Sequence, residues 1–279
     1  MSTNSTTANA IIEDQVADFL VEPLEAESVV LAAKPKILNS SEPLLIPRLD
    51  SVGAPAWVGE NELIPESDIA FSEIKLMPTE RKSIKVMHRA SNESLRMAKK
   101  GVSTILQQAL VKRVANTLDD ALLKGTGADA TVTGILNQAG VQTGTLDVAA
   151  PDSLLEIIAK AEAEEVTPNR WFMSAADYLS LSKLKDGNER YLLQNSKAID
   201  GAMVKTLFDI PVTVTNKLAA GEGALVDMNS VAVVRDEDPK ITVNDSRYLE
   251  FDQVAIRVVT RYDLGLLHPK GVVVFGAGA

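Results

Sequence analysis

Apolar positions change their spacing several times along this chain, and each change marks an element. FSEIKLM (71–77) and KSIKVMH (82–88) alternate apolar and polar residues with the period of two expected of half-buried strands. Pro78, Thr79, Glu80 and Arg81 lie between them as a turn, so the pair predicts a hairpin with WVGENELIPESD (57–68) at its base. Few large apolar residues fall in 57–90, and a two-stranded hairpin with so little core of its own must rest on something else. The period then lengthens. Val102, Ile105, Leu106, Ala109, Leu110, Val114, Leu118, Ala121 and Leu122 fall three and four apart and predict a helix through about Lys124. At ~1.5 Å per residue it is roughly 35 Å long, the longest rigid element of the chain. A shorter helix is expected ahead of it, capped by Ser91, with Glu93 in its first turn and ended by Gly101.

The flanks read differently. The first nine residues are rich in Ser, Thr and Asn, and residues 10–34 mix apolar and acidic groups, interrupted by Pro23. They predict two short helical pieces on an arm too poor in apolar residues to hold a core. Pro35, Pro43, Pro47 and Pro55 forbid a helix and favour extended chain, with a short strand at Leu44, Leu45 and Ile46 stopped by Pro47. Glycines 125, 127, 134, 140 and 144 punctuate a loop after the long helix. From 151 onward the pattern is mixed. Pro151-Asp152-Ser153 opens a helix, Trp171-Phe172-Met173 is a short buried strand, and Ser174 caps a helix through Leu184. Residues 211–215, 231–234, 240–243, 254–259 and 272–275 read as strands.

Charge adds a second pattern. The net charge is −10, but residues 1–70 hold 12 acidic and 3 basic groups, residues 71–124 hold 5 and 11, and residues 125–279 hold 21 and 14. A basic stretch sits between two acidic ones. Such a stretch is either a solvated face or a surface that docks on an acidic neighbour, including another copy of the chain. With 46% hydrophobic residues the chain builds a sizeable core. The opening MSTNSTTANAIIEDQ lacks the basic and apolar regions of a signal peptide, and no stretch reaches the roughly 18 apolar residues of a spanning helix, so no membrane association is expected.

Candidate chemistry is sparse. There is no cysteine, which removes disulfides, thiolate ligands and thiol nucleophiles. His88 and His268 stand far apart in sequence with no ligand-spaced partner, and no metal site is expected. Gly125-Thr126-Gly127 follows a helix, whereas a phosphate loop precedes one. Glu162, Glu164 and Glu165, like Asp236, Glu237 and Asp238, read as solvated carboxylates. No catalytic constellation and no cofactor are expected. Aromatic content of 4% argues against a stacking platform for single strands. Trp171 reads as core and Trp57 as an anchor for the hairpin.

The order of these features, from arm through basic excursion, short helix, long helix and glycine loop to an α/β region, resembles tailed-phage major capsid proteins of the Hong Kong 97 fold. AWVGENELIPESDIAFSEIKL resembles the entry to the extended E-loop, and SNESL the start of the short peripheral-domain helix. LDDALLKGTGADATVTGILN resembles the end of the spine helix and its loop. LSLSKLKDGNERYLL and LFDIPVTVTNKL resemble axial-domain segments, and DLGLLHPKGVVVFG the closing strand. The resemblance covers about residues 20 to 276.

What it implies is an α+β capsid fold and a structural protein, not an enzyme. The N-terminal arm would be 1–56 and the E-loop hairpin 57–88. The peripheral domain would comprise 89–145 and 237–265, and the axial domain 146–236 and 266–279. Copies would gather as pentamers and hexamers into an icosahedral shell, the virion capsid, after synthesis in the host cytoplasm. Partners would be the chain itself, portal and scaffold proteins, and packaged DNA held non-specifically. Trp57, Lys75, Arg81, Lys82, Lys85 and Arg89 are the candidate inter-subunit contacts.

Two departures from the family prototype stand out. No long helical scaffolding segment precedes the arm. The prototype's cross-linking lysine position is Glu73, with Gln253 near the partner strand in place of Asn and Thr260 in place of the assisting acid, so covalent cross-linking is not expected. Two other readings compete: an encapsulin-like nanocompartment with the same fold, and a soluble α/β enzyme, which would need a pocket of converging polar groups.

Overall fold

The computed structural model describes residues 27–52, 57–59, 69–77, 83–91, 102–128, 131–185, 191, 196–197 and 203–276. β1 (Lys36–Asn39), β2 (Leu44–Val52), β3 (Ile69–Leu76) and β4 (Ile84–Ser91) precede the helix α1 (Val102–Lys124). β5 (Gln142–Gly144), α2 (Asp152–Glu162), β6 (Arg170–Ser174) and α3 (Ala175–Ser182) follow. Short β7 (Ser196–Lys197), β8 (Met203–Val204) and β9 (Thr206–Leu207) lead to β10 (Ile210–Thr215) and β11 (Gly223–Val226). The long strands β12 (Val231–Tyr248) and β13 (Gln253–Leu266) and the closing strand β14 (Val272–Phe275) complete the chain.

α1 organises the core. Leu110, Val114, Leu118 and Leu122 form its buried stripe, while Lys112, Arg113, Asn116 and Asp120 face outward. Its last turn is closed from outside. Asn137 Nδ2 donates to the Lys124 carbonyl at 2.8 Å and to that of Gly125 at 3.2 Å, satisfying carbonyls a helix end leaves open. Gly125 is required there, because a Cβ would lie 2.0 Å from the Val132 carbonyl oxygen and 2.4 Å from that of Ala121. Lys124 also pairs with Glu222, whose carboxylate in turn accepts from the Ala219 amide.

Two sheets share the helix. One is four-stranded, in the order β1-β12-β13-β4, with β1 parallel to β12 and the rest antiparallel. Val231, Val233, Ile256, Val258, Tyr262 and Leu264 on one of its faces pack against α1. The other is six-stranded, in the order β5-β14-β11-β6-β10-β9. Alternation sends Phe172, Ala224 and Val274 into the α1 core and Trp171, Met173, Leu225 and Phe275 into a second core with Leu154, Ile157 and Leu181 of α2 and α3. Ser174 caps α3 by accepting from the Asp177 amide at 3.1 Å, as its position before the helix predicts.

Three expectations are corrected. FSEIKLM and KSIKVMH do not pair with each other. β3 pairs with β2, and β4 pairs with β13. A period of two fixes which face a strand buries, not which strand lies beside it. Ile84 and Val86 bury toward the α1 core, which draws β4 into the four-stranded sheet. β2 runs through Pro47 to Val52, because a two-stranded ribbon leaves each strand an open edge where no N–H is needed. β12 is one strand where two were expected, with register shifts around Pro239. Ser91 is the last residue of β4; the short helix expected after it, up to Gly101, lies outside the described residues, as do residues 1–26 of the arm.

Candidate assembly surface

β2 and β3 form a separate antiparallel ribbon with Leu45 opposite Lys75, Pro47 opposite Glu73 and Leu49 opposite Phe71. Its inner face, with Leu44, Ile46, Ile74 and Leu76, packs on Leu38, Ala232, Val234 and Leu267. Its outer face carries Leu45, 54% exposed, and Phe71, 69% exposed, beside the exposed Glu73 and Lys75. Two large apolar side chains are thus exposed on the outside of a ribbon whose other face is seated on its own subunit. The ribbon's exit is fixed. Gly265 lets Leu76 lie on the backbone of β13, since a Cβ there would come within 2.5 Å of Leu76 Cδ2. The Met77 amide donates to Asp263 Oδ2 at 2.7 Å.

Beyond the ribbon, the same face of the sheet is open. Lys85 stands opposite Val259, Met87 opposite Arg257 and Arg89 opposite Ala255. These residues point away from α1 because the alternate ones, Ile84 and Val86, point toward it. Lys85, Met87, Arg89 and Arg257 are all exposed. The Arg89 guanidinium lies 4.4 Å from the centre of the Tyr248 ring, which orients it along the face.

The candidate contacts are thus divided. Lys75 lies on the ribbon, and Lys85 and Arg89 on the open sheet face. Trp57 is fully exposed and anchors nothing among the described residues. Arg81 and Lys82 lie outside the described residues. Arg257 escaped sequence reading because its partners are far away in the chain; the alternation of VAIRVV, with Arg in an outward position, was its only signal.

The root of the arm is clamped. Asp119, 2% exposed on α1, accepts from Ser28 Oγ at 2.6 Å, from the Val29 amide at 2.9 Å and from the Val30 amide at 3.2 Å. Burial raises its pKa above the ordinary carboxylate value, against the lowering effect of these hydrogen bonds and of the Lys217 charge. Val30, Leu31 and Ala33 are buried in the α1 core. Residues 28–33, expected to belong to a coreless arm, are therefore part of the body.

The carboxylate clusters are not merely solvated. Asp236 Oδ2 meets Arg261 Nη1 at 3.0 Å in a largely buried pair, and Glu164 binds Lys270 Nζ at 2.8 Å. Among the described residues, no three His, Cys, Asp or Glu are grouped to hold a metal ion, and no helix is long and apolar enough to cross a membrane. At the positions of a prototype-like cross-link, Glu73 is exposed on the ribbon, Gln253 faces Ser91, and Thr260 is fully buried opposite Ile84.

Comparison with known proteins places this geometry. The model of the phage capsid family matches residues 8–276. The chain is similar to the major capsid protein of Klebsiella oxytoca phage phiKO2, at 23% identity over 98% of this chain and 69% of that protein. Among solved structures it is similar to a chain of Microbacterium phage Oxtober96, with TM-score 0.72 and 15% identity over 88% of this chain and 90% of that one. It is equally similar to the capsid of an empty GTA particle, with TM-score 0.72 and 15% identity over 88% of each chain. These likenesses show that the α+β fold is that of Hong Kong 97-like capsids.

Proposed function

This chain belongs to the phage capsid family, and from that premise we propose that it is a major capsid protein whose copies close through pentamers and hexamers into a shell around double-stranded DNA. The observation that carries the reading is the β2–β3 ribbon. Its inner face is seated on its own subunit, while Leu45 and Phe71 on its outer face remain exposed. A neighbouring copy covers that face and removes the apolar area from water. The virion is its place of work, after synthesis in the host cytoplasm, and portal and scaffold proteins are its further partners. The domain reading assigns β1 and β2 to the N-terminal arm (1–56), β3 and most of β4 to the E-loop hairpin (57–88), α1, β5 and most of β12 and β13 to the peripheral domain (89–145 and 237–265), and α2, α3, β6 to β11 and β14 to the axial domain (146–236 and 266–279). Lys75, Arg81, Lys82, Lys85 and Arg89 act in contacts between subunits, and the role is structural, not catalytic. The nanocompartment reading is not favoured, since the named relatives are phage capsid proteins.

Sedimentation and negative-stain imaging of the expressed chain test this directly. Closed particles, or rings of five and six, are the expected result; monomer alone across a wide range of concentration and salt would overturn it. A second result is expected from the same particles. With a carboxylate at Glu73 and a buried hydroxyl at Thr260, boiled samples should run on denaturing gels as a single chain of 29.9 kDa. A persistent ladder of multimers would show that another lysine, Lys75 first, forms the bond.

A further inference from the structure

We propose that Met77 and Asp263 are positioning residues: together they latch the root of the β2–β3 ribbon and set the angle at which its outer face meets a second copy of this chain. The proposal rests on the shell reading above and concerns how one subunit aims its contact surface. It starts from a strained residue. Met77 has φ 53°, in the left-handed region. Bulky side chains rarely enter that region, and one that does persists only where its surroundings over-determine it. An ordinary turn would use Gly or Asn, which adopt this conformation at little cost. Here the chain keeps a methionine, and its side chain is buried with Leu76, Ala232 and Val234.

The groups that hold it are on β13. Asp263 stands opposite Val234 and projects from the face on which the ribbon lies. Its Oδ2 accepts from the Met77 amide at 2.7 Å and its Oδ1 from the Leu264 amide at 2.9 Å, so both carboxylate oxygens are fixed. Gly265, two residues on and on the same face, takes Leu76 against bare backbone. β13 thus grips two consecutive residues of the ribbon's root by different means, one by packing and one by a carboxylate. The left-handed turn at Met77 carries the chain off β3 with its amide on that carboxylate and its side chain still buried.

The rest of the ribbon is a lever on this root. Its other leg enters through Ser41, Glu42 and Pro43, all exposed. Among the described residues, the ribbon's seated apolar side chains, Leu44, Ile46, Ile74 and Leu76, lie at the end nearest Met77. Phe71 is five residues from Leu76, about 17 Å at ~3.3 Å per residue, and Ile69 lies about 23 Å away. Turning the root by about 10° therefore moves Phe71 by about 3 Å and Ile69 by about 4 Å. Apolar contacts form within about 4.0–4.5 Å, so such a turn takes Phe71 out of contact with a neighbour. A fixed root makes every subunit present Leu45 and Phe71 at the same angle, as a uniform shell needs.

Because the chain has no cysteine, two introduced cysteines carry spin labels without background. Phe71→Cys on the ribbon and Asn116→Cys on the exposed side of α1 are labelled in the full-length chain, which is diluted with unlabelled chain. Pulsed electron resonance reads the distance between them, and one narrow distribution is expected. Met77→Val keeps an apolar side chain but resists positive φ, and Met77→Asn does the reverse. Asp263→Ala removes the acceptor, and Asp263→Asn keeps one. M77V and D263A should widen the distribution about two-fold or more, since the ribbon multiplies any looseness at its root. M77N and D263N should leave it unchanged. In otherwise unaltered chains, M77V and D263A should give particles of mixed size, and M77N and D263N uniform ones. Widening by M77N but not by M77V would overturn the proposal, because burial alone would then seat the ribbon. So would four unchanged distributions, equal widening by D263N and D263A, or uniform particles from M77V and D263A. Circular dichroism shows which variants fold; should one member of a pair fail to, the other pair decides. Absence of particles from the wild type sinks the shell reading, and the distances still decide the latch.

Discussion

Replacing Asp119 with alanine is expected to lower the subunit's unfolding free energy by about 3 kcal/mol, from several buried donors losing ~1–3 kcal/mol each and the relief of burying a charge. Asp119 lies mid-helix, yet its partners are the Ser28 hydroxyl and the Val29 and Val30 amides. Removing the carboxylate leaves those donors facing the α1 core. The loss should carry a pH signature. Burial raises the Asp119 pKa in the folded subunit, so the folded state binds its proton more tightly than the unfolded chain does. The stability this group contributes is complete below the ordinary carboxyl value of 3.8 and is lost as pH rises through the raised folded pKa. The difference between wild type and Asp119→Ala should therefore be larger at pH 4 than at pH 7.5. Glu222 behaves oppositely: its hydrogen bond from Lys124 lowers its pKa, so its contribution is present above 4.5 and is lost as pH falls. It is common to both proteins and cancels in the difference. Urea unfolding of unassembled subunits at the two pH values gives the answer. A difference that grows toward pH 7.5 would mean that the hydrogen bonds outweigh burial.

The same clamp shows where sequence reading stops. Residues 28–33 look like arm, because nothing nearby could bury Val30 and Leu31. Their partner is a carboxylate 91 residues beyond Ser28, and a lone acid in an amphipathic helix reads as solvated. α1 was legible for the converse reason: its signal is local and repeats over 23 residues. The cap at Ser174 and the helix start at Pro151-Asp152-Ser153 were legible on the same ground. Strand partners were not. The alternation in 71–77 and 82–88 identified the exposed faces of β3 and β4, including Lys75 and Lys85, but not that they belong to a ribbon and a sheet respectively. Arg257 joins Lys85 and Arg89 only through the β13–β4 pairing, a contact that local pattern does not encode.

The largest functional loss is expected from L45E/F71E, which should leave a folded subunit and no particles. Both side chains point away from the subunit on β2 and β3, so neither contributes to its core. Leu44, Ile46, Ile74 and Leu76 keep the ribbon seated from the other face. Covering Leu45 and Phe71 in an assembled shell contributes about 1–2 kcal/mol per side chain. A carboxylate in their place forfeits that gain and adds the cost of burying a charge, so the change per contact is at least about 3 kcal/mol, more than a hundred-fold. Every subunit of a ring makes this contact, so the concentration needed for assembly should rise by at least that factor. K75E is the contrasting case. An exposed ion pair contributes only ~0–1 kcal/mol and is screened by salt, so its effect should be several-fold and vanish at high ionic strength. Sedimentation across concentration and salt separates the two variants, and unchanged circular dichroism and thermal unfolding show that both still fold. Normal particles from L45E/F71E would mean that the ribbon's outer face stays open to solvent in the shell, and the contact that closes it would have to be sought on the sheet face of β4 and β13.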